Sequence, residues 1–170
     1  HAVLYFVRLL LMENIDNLKQ KVTEALVERF VDTDFFLVDI QISVAPRIVV
    51  FIDGKTEHIN IRECARISRY LEEFLESNAL VGEKYWLEVS SPGLEEPFKV
   101  EQQYIKWLNK PVEVLLLDGI KEIGELKAFD ENSVTIEIPE QKKKKEIIPA
   151  ELKTFAKADI KYTRKHFVFK

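Results

Sequence analysis

The sequence predicts an α+β protein in two parts, an N-terminal α-β-β-α-β unit and a small C-terminal β-barrel. Three observations support this. Apolar stripes at helical spacing occur from Ile15 and again from Asn60, and runs of period two lie between and after them. Beyond Pro97, five short strand-like runs follow within about sixty residues, broken by turn residues.

The first helix is read from Ile15, Leu18, Val22, Ala25, Leu26 and Phe30, which share one face, with Lys19, Lys21, Glu24 and Glu28 outside it. Phe35 to Ser43 then alternates, with Phe36, Val38, Ile40 and Ile42 on one face. Arg47 to Ile52 follows the short Val44-Ala45-Pro46 turn, so the pair reads as an antiparallel hairpin. A second helix opens at Asn60, which has capping-box spacing to Glu63. Its expected buried face is Ile61, Cys64, Ala65, Ile67, Leu71, Phe74 and Leu75, and it ends in the Ser77, Asn78, Gly82 region. Tyr85 to Ser90 resumes a strand. A three-stranded sheet layered under two helices, sandwich-like, is the simplest way to bury both stripes.

After Pro97, Val100, Tyr104, Trp107 and Leu108 predict a short helix that Asn109 caps and Pro111 stops. The strands expected next are Val112–Leu117, Gly124–Phe129, Val134–Ile138, Glu146–Ile148 and Tyr162–Phe169. A closed or nearly closed barrel removes the exposed edges that so many short strands would otherwise leave. Domains are accordingly expected at 12–96 and 97–170. Residues 1–11 are read as an extension that is not native, upstream of a natural start at Met12, the chain's only methionine. Their apolar run is too short to span a bilayer, which takes about 20 residues, and has no signal-peptide cleavage pattern.

Charge divides along the same line. Up to residue 97 there are 10 Lys+Arg against 17 Asp+Glu, a net −7; beyond it there are 15 against 12, a net +3. This is not the profile of a dedicated, strongly basic nucleic-acid binder. It suits a protein that meets basic protein and nucleic acid together.

Enzyme signatures are weak. Asp53-Gly54-Lys55-Thr56 ends like a phosphate-binding loop, but Val49 stands where that loop needs glycine. His1, His58 and His166 are isolated, without metal-ligand spacing, so neither a metal nor another cofactor is expected. The single Cys64 excludes an intrachain disulfide and reads as a small buried hydrophobe. Ser90-Ser91-Pro92-Gly93 does not match a nucleophile elbow. It reads as a strand exit: the hydroxyls cap backbone groups, Pro92 fixes φ, Gly93 supplies a positive φ, and Leu94 packs back onto the core.

Two basic features are candidate contacts. Arg62, Arg66 and Arg69 share a helical stripe opposite the apolar face, as a solvated face with pairs such as Arg69–Glu73 or as a surface for RNA phosphates. Lys142, Lys143, Lys144 and Lys145 lie between two strands, as a solvated hairpin tip or a salt-sensitive phosphate contact.

Tyr85-Trp86-Leu87-Glu88-Val89-Ser90-Ser91-Pro92-Gly93-Leu94 resembles the signature of the bacterial ribosome maturation factor RimP family. Weaker likenesses are Phe51-Ile52-Asp53, Cys64-Ala65-Arg66-Ile67-Ser68 and Ala158-Asp159-Ile160-Lys161. The resemblance runs from about Met12 to the C terminus. It implies a C-terminal barrel of the SH3/Sm-like type and a non-enzymatic, cytoplasmic assembly factor, with a monomer the default expectation. Its implied partner is the immature small ribosomal subunit: rRNA, and a basic small-subunit protein near the decoding centre that it helps to incorporate, chiefly through the barrel. Within the motif, Glu88, Ser90, Ser91, Pro92, Gly93 and Leu94 are then structural. Glu95 and Glu96 replace the family's acidic-basic pair, which removes any contact made by that basic residue. The competing readings are a stand-alone Sm-like RNA-binding module and an enzyme using the two serines.

Overall fold

The computed structural model describes residues 1–44 and 46–168. The chain divides into two compact units between Pro92 and Gly93, within the Ser-Ser-Pro-Gly motif. Ala45, in the expected hairpin turn, and Phe169, at the end of the last expected strand, lie outside the described residues.

The first unit holds α1 (Ala2–Arg29), β1 (Phe35–Ser43), β2 (Arg47–Gly54), α2 (Ile61–Ser77) and β3 (Trp86–Ser90). Its sheet has the order β1-β2-β3; β1 and β2 are antiparallel, β2 and β3 parallel, with α2 as the crossover. One core unites both helices with the sheet: Leu18, Val22, Leu26 and Phe30 from α1, Ile48, Val50 and Ile52 from β2, and Ile67, Leu71 and Leu75 from α2. The first helix continues through residues 2–12, whose apolar side chains from Val3 to Met12 are exposed.

Three local expectations change. The register shifts between Leu37 and Asp39, so β1 does not keep one apolar face. Phe35, Leu37, Ile40 and Ile42 join the shared core, whereas Phe36 and Val38 are buried outside it. On α2, Ile61 and Ala65 are exposed rather than buried, because at about 100° per residue they lie round toward the arginine side. The Asn60 capping box forms in full, with Glu63 N–H donating to Asn60 Oδ1 at 2.9 Å and Asn60 N–H to Glu63 Oε2 at 3.0 Å.

The Asp53-Gly54-Lys55-Thr56 segment is a pinned turn. Lys55 N–H donates to the Asp34 carbonyl at 2.6 Å, and Thr56 Oγ1 bonds the Asp34 carboxylate. A Cβ at Gly54 would lie 2.1 Å from the Glu57 carbonyl oxygen, which leaves no room for a side chain.

The second unit holds α3 (Glu101–Lys106) and seven strands: β4 (Pro111–Leu116), β5 (Lys121–Phe129), β6 (Ser133–Ile138), β7 (Gln141–Lys143), β8 (Glu146–Ile148), β9 (Glu151–Ala156) and β10 (Ile160–Lys165). Asn109 takes a left-handed φ of 62° after α3, as expected. Five strands form an antiparallel sheet, β10-β4-β5-β6-β9, around Phe98, Val112, Val114, Leu126, Val134 and Ile136. The sheet does not close on itself: among the described residues, β9 and β10 are the two sheet edges and are not paired, so of the closed or nearly closed barrel expected, the closed form is not found. The expected strand set also changes. Glu146–Ile148 belongs to the separate β7–β8 hairpin, and β9 takes its place in the main sheet. An edge strand with Leu152 exposed and only Phe155 packed on the core has little alternation to reveal it.

Candidate nucleic-acid interface

Ser90, half-buried at the end of β3, donates its hydroxyl to the Ser91 carbonyl oxygen at 3.2 Å, and Ser91 is exposed. A serine nucleophile must instead offer its proton to a base. The beginning of the motif is tied to α2, since Tyr85 donates its phenol to Glu76 Oε1 at 3.0 Å. Burial, and then the Glu76 carboxylate, push that phenol up to about 12. Glu88 lies 3.8 Å from the Arg47 guanidinium, which also sits over the Trp86 ring at 5.6 Å.

Beyond Ser91 the bend differs from expectation. Gly93 does not have a positive φ; among the described glycines that conformation belongs to Gly119, at 90°. The bend is a turn in which Glu96 N–H donates to the Gly93 carbonyl at 3.1 Å. Leu94 occupies a central turn position and is 57% exposed, so it does not pack back onto the core.

Cys64 packs at the margin of the core. Burial, then the neighbouring Glu63 charge, raise its thiol pKa, which suppresses the reactive thiolate. His58 Nδ1 stands 3.9 Å from buried Asp53. Among the described residues no group of three or more His, Cys, Asp or Glu is placed to hold a metal ion. Among the described residues no helix is long and apolar enough to cross a membrane.

The arginine stripe forms as its spacing predicts. Leu71, Ile67 and Leu75 face the core, and Arg62, Arg66 and Arg69 are exposed on the other side of α2. The pairing of Arg69 with Glu73 does not form. Among the described residues none of the three arginines makes an ion pair within 4.0 Å. Arg29, at the end of α1, extends the basic face by lying 5.0 Å over the Tyr70 ring, which stacks on Phe74. Sequence reading missed Arg29 because its neighbour is more than one element away. Ile61 and Ala65 add apolar surface beside Arg62 in a shallow cleft that Ile59 and Asn60 complete.

The lysine run divides between strand and turn. Lys142 and Lys143 belong to β7, paired with Ile147 and Glu146, and Lys144-Lys145 make the loop. Lys144 has φ 50°, a conformation two-residue hairpins favour but lysine seldom adopts. All four ammonium groups are exposed.

The two basic features lie in different units, and among the described residues both present exposed cations without an ion pair within 4.0 Å. The family model described as the RimP N-terminal domain matches residues 16–95, which takes in most of the first unit and the whole motif through Gly93. Residues 16–95 are thus similar to the N-terminal domain of the RimP family, which supports that family for this chain.

Proposed function

We propose that this chain is a non-catalytic, cytoplasmic factor that binds the immature small ribosomal subunit as a monomer. It assists the incorporation of a basic ribosomal protein near the decoding centre. The observation that carries the RNA half of this reading is the arginine stripe, three exposed guanidinium groups on one helix face without carboxylate partners among the described residues. Guanidinium forks match phosphate oxygens in pairs. The exposed Lys142–Lys145 hairpin offers a second contact. The acidic balance of the first 97 residues complements a basic protein, and such complementarity speeds encounter and rejects wrong partners. In the second unit the last strand returns beside the first, β10 against β4, as an SH3/Sm-like barrel short of one seam requires.

Co-sedimentation with immature small subunits at stepped salt tests this reading. The Arg62→Ala/Arg66→Ala/Arg69→Ala variant is expected to lower the slope of log affinity against log salt by about 2, at about 0.7–0.9 per phosphate contact. Its affinity near physiological salt should fall at least about tenfold. An unchanged slope would remove the stripe from the interface.

A further inference from the structure

Of the two edges of the second unit's sheet, β10 is partly covered, since Phe98 N–H donates to the Thr163 carbonyl at 2.7 Å. The outer edge of β9 is bare. Among the described residues β9 pairs with β6 alone, and no further backbone hydrogen bond reaches Glu151–Ala156. Alternate residues of an antiparallel strand turn both N–H and C=O away from the paired neighbour. About half of the backbone groups of β9 therefore face outward with no strand to meet them. Edges are commonly blunted by proline, a bulge or a free lysine. β9 has no proline, its register with β6 is unbroken, and its one lysine, Lys153, is drawn to Glu122 at 3.1 Å.

A cleft at the end of this edge gives it a chemical preference. Leu117 N–H donates to the Asp159 carbonyl at 2.9 Å, which holds the β4–β5 turn beside the residues that follow β9. Leu116, Leu117 and Phe155 supply apolar wall, with Asp118 and Asp159 among them. Both aspartates are exposed, and among the described residues neither has a Lys or Arg within 4.0 Å. Apolar wall beside unpaired carboxylates fits a lysine or arginine side chain, whose stem buries on carbon while its head stays with charge. Two β9 strands paired antiparallel about their centre would instead bring Glu151 of one copy to the Ala156 end of the other, beside the same aspartates. We infer that the β9 edge is a docking site for an extended basic segment of a partner protein. The segment adds to the sheet as a further strand and sets one Lys or Arg in the cleft with Asp118 and Asp159. This rests on the reading that the chain meets a basic protein, and gives that protein a surface on the second unit, where net charge alone pointed to the first.

Fluorescence anisotropy of a labelled peptide alternating lysine with valine, titrated with the full-length chain, tests the site. The peptide is expected to bind and to slow amide hydrogen exchange across Glu151–Ala156. A peptide alternating glutamate with valine, and the lysine peptide N-methylated along its backbone, should each bind at least about tenfold more weakly, the first lacking the charge and the second the strand donors. Asp118→Asn/Asp159→Asn should weaken the lysine peptide about three- to tenfold, as for two exposed ion pairs. Asparagine keeps the Oδ1 acceptor that takes the Ile120 N–H at 3.0 Å, so the turn persists. No binding, equal binding of either control peptide, protection confined to another segment, or unchanged affinity in the double aspartate variant would each overturn the site. A wild-type dimer in light scattering whose formation protects Glu151–Ala156 would give the edge to a second copy and overturn it too. Binding of the wild-type chain to immature subunits that persists in any of these cases would show that the edge fails and the assembly role stands.

Discussion

Replacing Arg164 with methionine is expected to destabilise the second unit by about 1–3 kcal/mol, because it removes a charge-assisted hydrogen bond from a buried carboxylate while the half-exposed guanidinium is itself partly in water. Its partner Glu113 is only 6% exposed, although it sits on a sheet whose outer surface is otherwise solvated. Arg164 Nε donates to Glu113 Oε2 at 2.6 Å, Tyr162 donates to the same oxygen at 3.1 Å, and Lys121 Nζ stands 3.4 Å from Oε1. Burial opposes the charge, but the hydrogen bonds from Arg164 and Tyr162, with the charges of Arg164 and Lys121, outweigh it and hold the carboxyl below its usual value. Methionine fills the guanidinium's volume in part and leaves the carboxylate short of donors.

The same cluster sets a pH dependence. A carboxyl with a depressed folded-state pKa contributes stability that is complete above its unfolded value, near 4.5, and is lost as pH falls toward the folded value. The wild-type second unit should thus lose stability below about pH 4.5 more steeply than a Glu113→Gln variant. Chemical denaturation followed by the second unit's Trp107, in a Trp86→Phe background, measures both effects. A loss under about 1 kcal/mol for Arg164→Met would place the carboxylate in water.

Truncating Leu71 to alanine is expected to cost the first unit about 2–5 kcal/mol. Leu71 is 0% exposed at the centre of the α2 face, between Ile67 and Leu75 and against the β2 core residues. The two cores share no residue, so Trp86 fluorescence should report an earlier transition while the Trp107 transition stays in place. Leu71 and the arginines occupy opposite faces of one helix. Subunit binding should therefore persist in Leu71→Ala below its transition and vanish above it, whereas the triple arginine variant loses binding with its melting unchanged.

Long periodic elements could be read from the sequence because burial wrote one stripe on each. The α2 cap could be read for a different reason, since Asn60 and Glu63 satisfy two otherwise unpaired N–H groups at a fixed spacing. Features set by partners distant in sequence could not. The shift at Leu37/Asp39 depends on how β1 meets β2, and β9 exists because β6 offers an edge to pair with. The Gly93 bend shows a limit of another kind. Pro-Gly announces a turn, but which residue takes which dihedral is decided by the Gly93–Glu96 hydrogen bond. Among the basic residues, the arginine stripe follows from helical spacing alone. The pairs Arg29–Tyr70 and Lys165–Trp107 join different elements and leave no local pattern.

The central claim is that the chain assists small-subunit maturation through its surfaces and not through chemistry at Ser90 or Ser91. Complementation of a strain lacking the gene tests it most directly, with free small subunits and unprocessed small-subunit RNA ends as the readout. The account predicts that Ser90→Ala/Ser91→Ala restores the normal profile as the wild-type chain does, and that Arg62→Ala/Arg66→Ala/Arg69→Ala leaves free small subunits in excess. A folded double-serine variant that fails to rescue, or a normal subunit profile in the strain without the gene, would contradict it.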